Sequence, residues 1–378
     1  MPTIRVAAAF AFATLCCGET RLIRFQDRDA WSVDSQNLRV TIVQSGGHVG
    51  EIVLKEADAV NPLWIQNRPT IDPLQYDAPR DEKTYGGGAG ARLMSGLMGH
   101  NLCFPFWGNP SVSEARAGMT FHGETGVTRW RQISATADTL VIAADLPESK
   151  TSITRTVRVR GHVAYFEETA TNESAWDRPV GWCEHVTLGA PFLEKGVTML
   201  DASLTRGRAN GDASAKESLW PEGQAETKID LRSVRNIDRS AFVNNFLVDP
   251  SREFGYFTAV NPGKKLLFGY VFPRRDFPWL NIWEANNPEM LTRGMEFSNT
   301  PVHGTMKALM QEQRLFDTPT FDWLDAKSKL TKKYCAFSVH VPDGFQGVAD
   351  VRVEAGGLRI VETGTGKVIA LPMGFRFR

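Results

Sequence analysis

Apolar and polar residues alternate along much of the chain. Leu38-Arg39-Val40-Thr41-Ile42-Val43 begins with a period of two and stops at Gly46-Gly47, while residues 153–160 (ITRTVRVR) alternate without a break. A period of two sends successive side chains to opposite faces and marks a half-buried strand. Gly161-His162 then reads as a tight turn into residues 163–171, so the two runs predict a hairpin. Residues 140–146 and 266–272 are further β runs, and 351–354 is expected to pair with 358–362 across Ala355-Gly356-Gly357. Helical periodicity is scarce, with residues 305–316 as its best short instance. Strands without intervening helices predict an all-β fold, a large antiparallel β-sandwich, rather than βαβ units. No fixed-period repeat, low-complexity segment or linker divides the body, so residues 19–378 are read as a single domain.

Composition sharpens this picture. The 378 residues carry 43 Lys+Arg against 43 Asp+Glu, a formal net charge of zero. Such a chain lacks the electrostatic footprint that nucleic acid or an anionic membrane surface requires. The 22 Phe, 10 Trp, 33 Gly and 20 Pro suit a turn-rich β protein with aromatic-lined clefts. At the N-terminus Arg5 precedes an apolar run over residues 6–17, followed by Gly18. This is the order of a secretory signal, and the run is too short to span a bilayer. Residues 1–18 are therefore expected to be an export signal and the protein to be periplasmic or secreted. A start codon placed too far upstream, or a short buried strand, is the competing reading and leaves the protein cytoplasmic. No other stretch approaches the ~18 apolar residues of a membrane span. Cys103, Cys183 and Cys335 are isolated in sequence, form neither a disulfide framework nor a C-x-x-C site, and read as buried thiols.

Four polar segments in apolar surroundings carry the candidate chemistry. Residues 99–108 (GHNLCFPFWG) form an aromatic loop whose flat rings suit a sugar's C–H face, or simply pack in the core. In Phe121-His122-Gly123-Glu124 a histidine beside glycine can reach a ligand or serve as a satisfied structural residue. In Trp182-Cys183-Glu184-His185 the imidazole is a candidate general acid, because it titrates near neutrality. In Arg293-Gly294-Met295-Glu296-Phe297 a carboxylate between apolar neighbours is a candidate base. The glycine-rich residues 86–90 lack the G-K-S/T of a P-loop and the setting of a dinucleotide fingerprint. There is no G-x-S-x-G elbow, and no H-x-H or H-x-x-x-H spacing for a metal.

Taken in order, these segments resemble the galactose mutarotase-like superfamily. Cys103-Phe104-Pro105-Phe106-Trp107-Gly108 stands where the hexose-6-phosphate epimerase branch has C-W-P-W-F-G, and His122-Gly123 where it has the His-Gly of S-H-G-F-A-R. His185 in EHVTLG is similar to the histidine of the aldose 1-epimerase H-x-Y-F-N-L segment, and Glu296 in GMEFSNTPV to the glutamate of C-L-E-T-Q. The resemblance covers most of the chain after about residue 35. It implies a β-supersandwich with an open cleft and an isomerase that interconverts sugar anomers without metal or cofactor. Glu296 takes the role of base, His185 that of acid, and His122 that of a group at the ring oxygen or substrate. The same resemblance makes Trp107 and Trp283 candidate stacking walls and puts Arg293 near Glu296. Outside the family pattern, His100 and Asn101 add polar groups to the aromatic wall, and Glu284 is a further candidate sugar contact. The expected partner is a small-molecule carbohydrate.

Departures from the family pattern matter as much. Leu97-Met98-Gly99 stands where the epimerase branch has Arg-Gly-Gly, which removes a phosphate-contacting arginine and disfavours a sugar phosphate. Glu124-Thr125-Gly126 replaces F-A-R. Residues 272–284 have no counterpart and read either as a sugar-binding insertion or as a rigid surface loop. A non-catalytic carbohydrate-binding supersandwich is the alternative function. It is distinguished from the enzyme by needing neither His185 nor Glu296.

Overall fold

The computed structural model describes residues 18–210 and 216–377. Residues 1–17, which bear the export expectation, lie outside them. The alternating runs form the expected strands: Leu38–Val43, Thr139–Leu146, Thr151–Arg160, Val163–Asn172 and Leu266–Pro273. Strict alternation in Thr151–Arg160 fixes its phase, because a one-residue slip would turn Ile153, Val157 and Val159 away from the core. The strand pairs with Val163–Asn172 from Arg160↔Val163 to Thr151↔Asn172, so Gly161-His162 is the whole turn.

Two antiparallel sheets, one of eleven strands and one of eight, face each other. A single apolar core joins them, with Trp31, Leu102 and Phe297 on one side and Phe166, Tyr270 and Tyr334 on the other. Aromatic rings dominate the interface: Phe272 stacks on Phe297 at 4.6 Å between centroids, and Phe166 on Tyr334 at 4.8 Å. Each such pair adds about 0.5–1.5 kcal/mol beyond area burial. A third layer is a meander of Val348–Glu354, Gly357–Glu362 and Val368–Pro372. Its Val351, Leu358 and Ile360 pack against Tyr165, Leu267 and Phe337, which covers part of the outer face of the eight-stranded sheet.

Residues 272–280 prove to be framework. They carry the chain from Leu266–Pro273 in one sheet to Trp279–Asn286 in the other, with Phe277 and Trp279 fully buried. The helix expected over 305–316 is shorter, Met306–Gln311, capped by the Thr305 hydroxyl on the Ala308 N–H at 3.1 Å. It stops because Arg314–Leu315 turns back onto Thr318–Pro319, with Phe316 and Asp317 at φ 49° and 57° in the tight turn. Three further short helices, Ala78–Tyr85, Ala91–Gly96 and Val112–Arg116, carry no clear signal in the sequence; the glycine-rich residues 86–90 connect the first two. Among the described residues no helix is long and apolar enough to cross a membrane.

Candidate active site

Five neighbouring strands of the eleven-stranded sheet build the site, in the order His100–Cys103, Cys183–Gly189, Thr292–Ser298, Trp279–Asn286 and Ser240–Val248. Period two divides their side chains between two faces. Glu184, Val186, Met295, Phe297, Leu280 and Ile282 point into the sandwich. Cys183, His185, Glu296, Asn281 and Trp283 therefore share the opposite face. His185 is Cα partner to Asn101, and Glu296 to Asn281.

On that face His185 Nε2 lies 2.9 Å from Glu296 Oε1. Three groups hold the carboxylate: His185, the Trp283 indole N–H, which donates to the same oxygen, and the Cys183 thiol, 3.6 Å from Oε2. Trp283 reaches it because Gly294 lies directly beneath; a Cβ there would collide with the indole nitrogen. The second nitrogen of His185 sits 3.3 Å from the Thr187 hydroxyl.

His122 arrives from a separate loop, its ring centroid 5.0 Å from that of His185. Its backbone is left-handed, at φ 62°, and Gly108 pins it twice. The His122 N–H donates to the Gly108 carbonyl at 2.9 Å, and the Gly108 N–H donates to His122 Nδ1 at 3.0 Å. With Nδ1 accepting, the neutral ring carries its proton on Nε2. Burial, then the nearby positive charge available to His185 and His303, hold this imidazole far below its usual pKa. His122 is thus a neutral hydrogen-bond donor. Gly108 itself is at φ 126° and a Cβ there would strike Gly304. That close approach brings in His303, a residue sequence reasoning missed. Its ring is 4.7 Å from Trp107 and 5.6 Å from His122.

Other expected site residues lie elsewhere, for one geometric reason: neighbours in a strand, and residues three apart, face opposite ways. His100, beside Asn101, points into the interior, where Nε2 contacts Glu184 at 2.8 Å and Nδ1 the Tyr270 hydroxyl at 3.0 Å. Arg293, three residues before Glu296, also faces inward and pairs with Glu284 at 2.6 Å; both are sealed from solvent. The expectation that His100, Arg293 and Glu284 meet the sugar is therefore corrected. Asn101 is on the site face but fully buried, its amide nitrogen 3.6 Å from Cys103 Sγ. Trp107 is 2% exposed and packs on Cys103 and Cys183, so it belongs to the floor rather than to an open stacking wall. Trp283 is half-buried, its ring 5.5 Å from His185. The thiols of Cys103 and Cys183 are Cα partners on adjacent strands, free and buried, and burial raises both above the usual thiol pKa.

No family model matches the sequence, and no curated protein matches it either. Solved structures do. A candidate aldose 1-epimerase from Klebsiella pneumoniae superposes with a TM-score of 0.63 at 12% identity, over 83% of this chain and 80% of its own. A galactose mutarotase related enzyme from Lactobacillus acidophilus gives 0.55 at 13% identity, over 83% and 98%. A galactose mutarotase-like protein from Lactobacillus casei gives 0.54 at 12%, over 82% and 100%. The chain has the galactose mutarotase-like fold.

Within this mutarotase-like sandwich the interior carries a second polar cluster. Arg155 pairs with Glu168, the Tyr334 hydroxyl donates to the same Glu168 oxygen at 3.0 Å, and the Trp182 indole donates to Glu184 at 2.7 Å. Glu168 Oε2 is buried without a hydrogen-bond partner, and the Glu184 carboxyl is near enough to raise the Glu168 pKa. A proton on Glu168 leaves one carboxylate against one guanidinium in this interior cluster. Burial, together with the Glu184 charge, pushes Glu168 up to about 8 against the pull of Arg155.

Proposed function

We propose that the protein is an aldose 1-epimerase-like isomerase that interconverts the anomers of a sugar. The observation that carries this reading is the pairing of His185 with Glu296 at 2.9 Å on one face, with neutral His122 beside them. Glu296 accepts the proton of the anomeric hydroxyl, and the electrons of that O–H bond form the C1=O1 double bond. The C1–O5 bond breaks, and O5 takes a proton from His185. Rotation about C1–C2 and the reverse steps deliver the other anomer. His122 Nε2–H is placed to donate to an oxygen of the reacting unit. One base and one acid that touch the same C1–O5 unit suffice for this chemistry.

Polarimetry or NMR of freshly dissolved α-hexopyranoses tests the reading. The expected result is faster equilibration across part of a hexose and pentose panel. Wild-type protein that binds sugars without accelerating equilibration favours the carbohydrate-binding alternative. Export, with residues 1–18 removed, belongs to the same proposal. Native protein whose N-terminal sequence begins at Met1 or Pro2 would overturn that part.

A further inference from the structure

Three imidazoles meet at the site, and two are committed. His122 Nδ1 is occupied by the Gly108 N–H, and His185 has Glu296 on one nitrogen and Thr187 on the other. His303 has no hydrogen-bond partner for its ring among the described residues, and neither ring nitrogen is a sealed, unpartnered atom. We propose that His303 is a substrate-contacting residue that hydrogen-bonds one hydroxyl of the bound sugar and so sets which neutral aldose the site prefers. This rests on the sugar-isomerase reading of the same site.

The placement of His303 is built rather than incidental. The Gly304 N–H donates to the Trp107 carbonyl at 2.8 Å, which holds the segment against the aromatic loop. Gly108 leaves no Cβ in the way, so the ring meets the edges of Trp107 and His122. Burial and the neighbouring His185 lower the pKa of His303, against the opposite pull of Glu296. A neutral imidazole offers one donor and one acceptor, which matches a hydroxyl, whereas an anionic substituent would want a cation. Uncharged aldoses are the substrate class this favours over sugar phosphates and uronates.

The test uses the full chain with ¹⁵N-labelled histidine and anomerically equilibrated D-galactose, then D-glucose, so that no turnover is needed. His303→Phe keeps an aromatic ring against Trp107, removes both nitrogens and assigns the signal. Saturating sugar should shift the His303 ring nitrogens. His303→Phe should weaken binding on the order of 10-fold with kcat changed far less, as expected for one hydrogen bond. In a set of monodeoxy sugars, one analogue should bind wild type and variant alike. Shifts at His122 and His185 with none at His303, or an equal loss for every deoxy sugar, would overturn the proposal. Sugar that shifts His303 without any accelerated mutarotation sinks the isomerase reading and leaves the contact standing. Sugars that move no imidazole sink both.

Discussion

The same sheet carries two histidine–glutamate pairs of nearly equal length, His185–Glu296 at 2.9 Å and His100–Glu184 at 2.8 Å. Their glutamates are both fully buried, and their histidines hang from adjacent, paired strands. What differs is the surroundings. Both histidines have a partner on each nitrogen, but His100 has no solvent exposure and a pKa driven down to about 3 by burial and by Arg155. His185 keeps 7% side-chain exposure and has the His122 ring at 5.0 Å, which in turn lies 5.6 Å from the unpartnered His303. Residue type and spacing therefore do not make a site. Access and unspent hydrogen-bonding capacity do.

The comparison breaks most sharply under exchange of the two glutamates. Glu296→Gln is expected to lower kcat/KM for mutarotation by ~10²–10⁴-fold with little change in Tm. Glu184→Ala should do the reverse. It strips His100 and the Trp182 indole of their partner in the interior and is expected to cost about 3–5 kcal/mol of stability by chemical denaturation. The protein that remains folded should keep its kcat. Equal effects of the two substitutions on both readouts would erase the distinction.

Next in size is the seat under Trp283. Gly294→Ala should displace the indole from Glu296 and lower kcat by roughly 10–100-fold, the range of a lost hydrogen bond to a charged group. Trp283→Phe should reproduce the loss, and adding Gly294→Ala to it should cost little more. Additive losses in the double variant would mean that Gly294 acts on something other than the indole.

The smallest effect is spread along pH. His100 and His48 both fall to about 3 in the folded protein, chiefly through burial, from ~6.5 when unfolded. The unfolded chain binds the extra protons, so this part of the stability is present above pH ~6.5 and is lost as pH falls toward 3. Glu168 behaves oppositely. Its carboxyl is raised to about 8 from ~4.3, so its contribution is complete below pH ~4.3 and lost as pH rises through about 8. Tm is expected to peak near pH 6–7, and Glu168→Gln should flatten the alkaline side. An unchanged alkaline slope in that variant would mean that Glu168 is not the group that holds a proton in the interior cluster.

Much of the sandwich was legible because its outer strands wear their phase openly; residues 153–160 could be registered from polarity alone. Cys183–Gly189 and Thr292–Ser298 could not, because every residue in both is buried and no polarity contrast marks the faces. His122, His185 and Glu296 stood out as polar residues in apolar settings, but so did His100, Arg293 and Glu284. Strand parity sets Arg293, three residues from Glu296, on its far side, whereas Glu284 on the neighbouring strand could be assigned only from the pairing that sets Asn281 beside Glu296. His303 carried no local signal, since what places it is the close approach of Gly108 and Gly304, distant in sequence.

His185 and Glu184 are consecutive residues, so the partition between the face that carries Glu296 and the sealed interior is one peptide unit thick. An altered ring or carboxyl behind that partition, such as Tyr270, Tyr334 or Glu168, bears on the strand that holds His185 without being exposed on its face. A change on the hidden side of that partition can therefore shift the His185–Glu296 pair while every residue on the outer face stays the same.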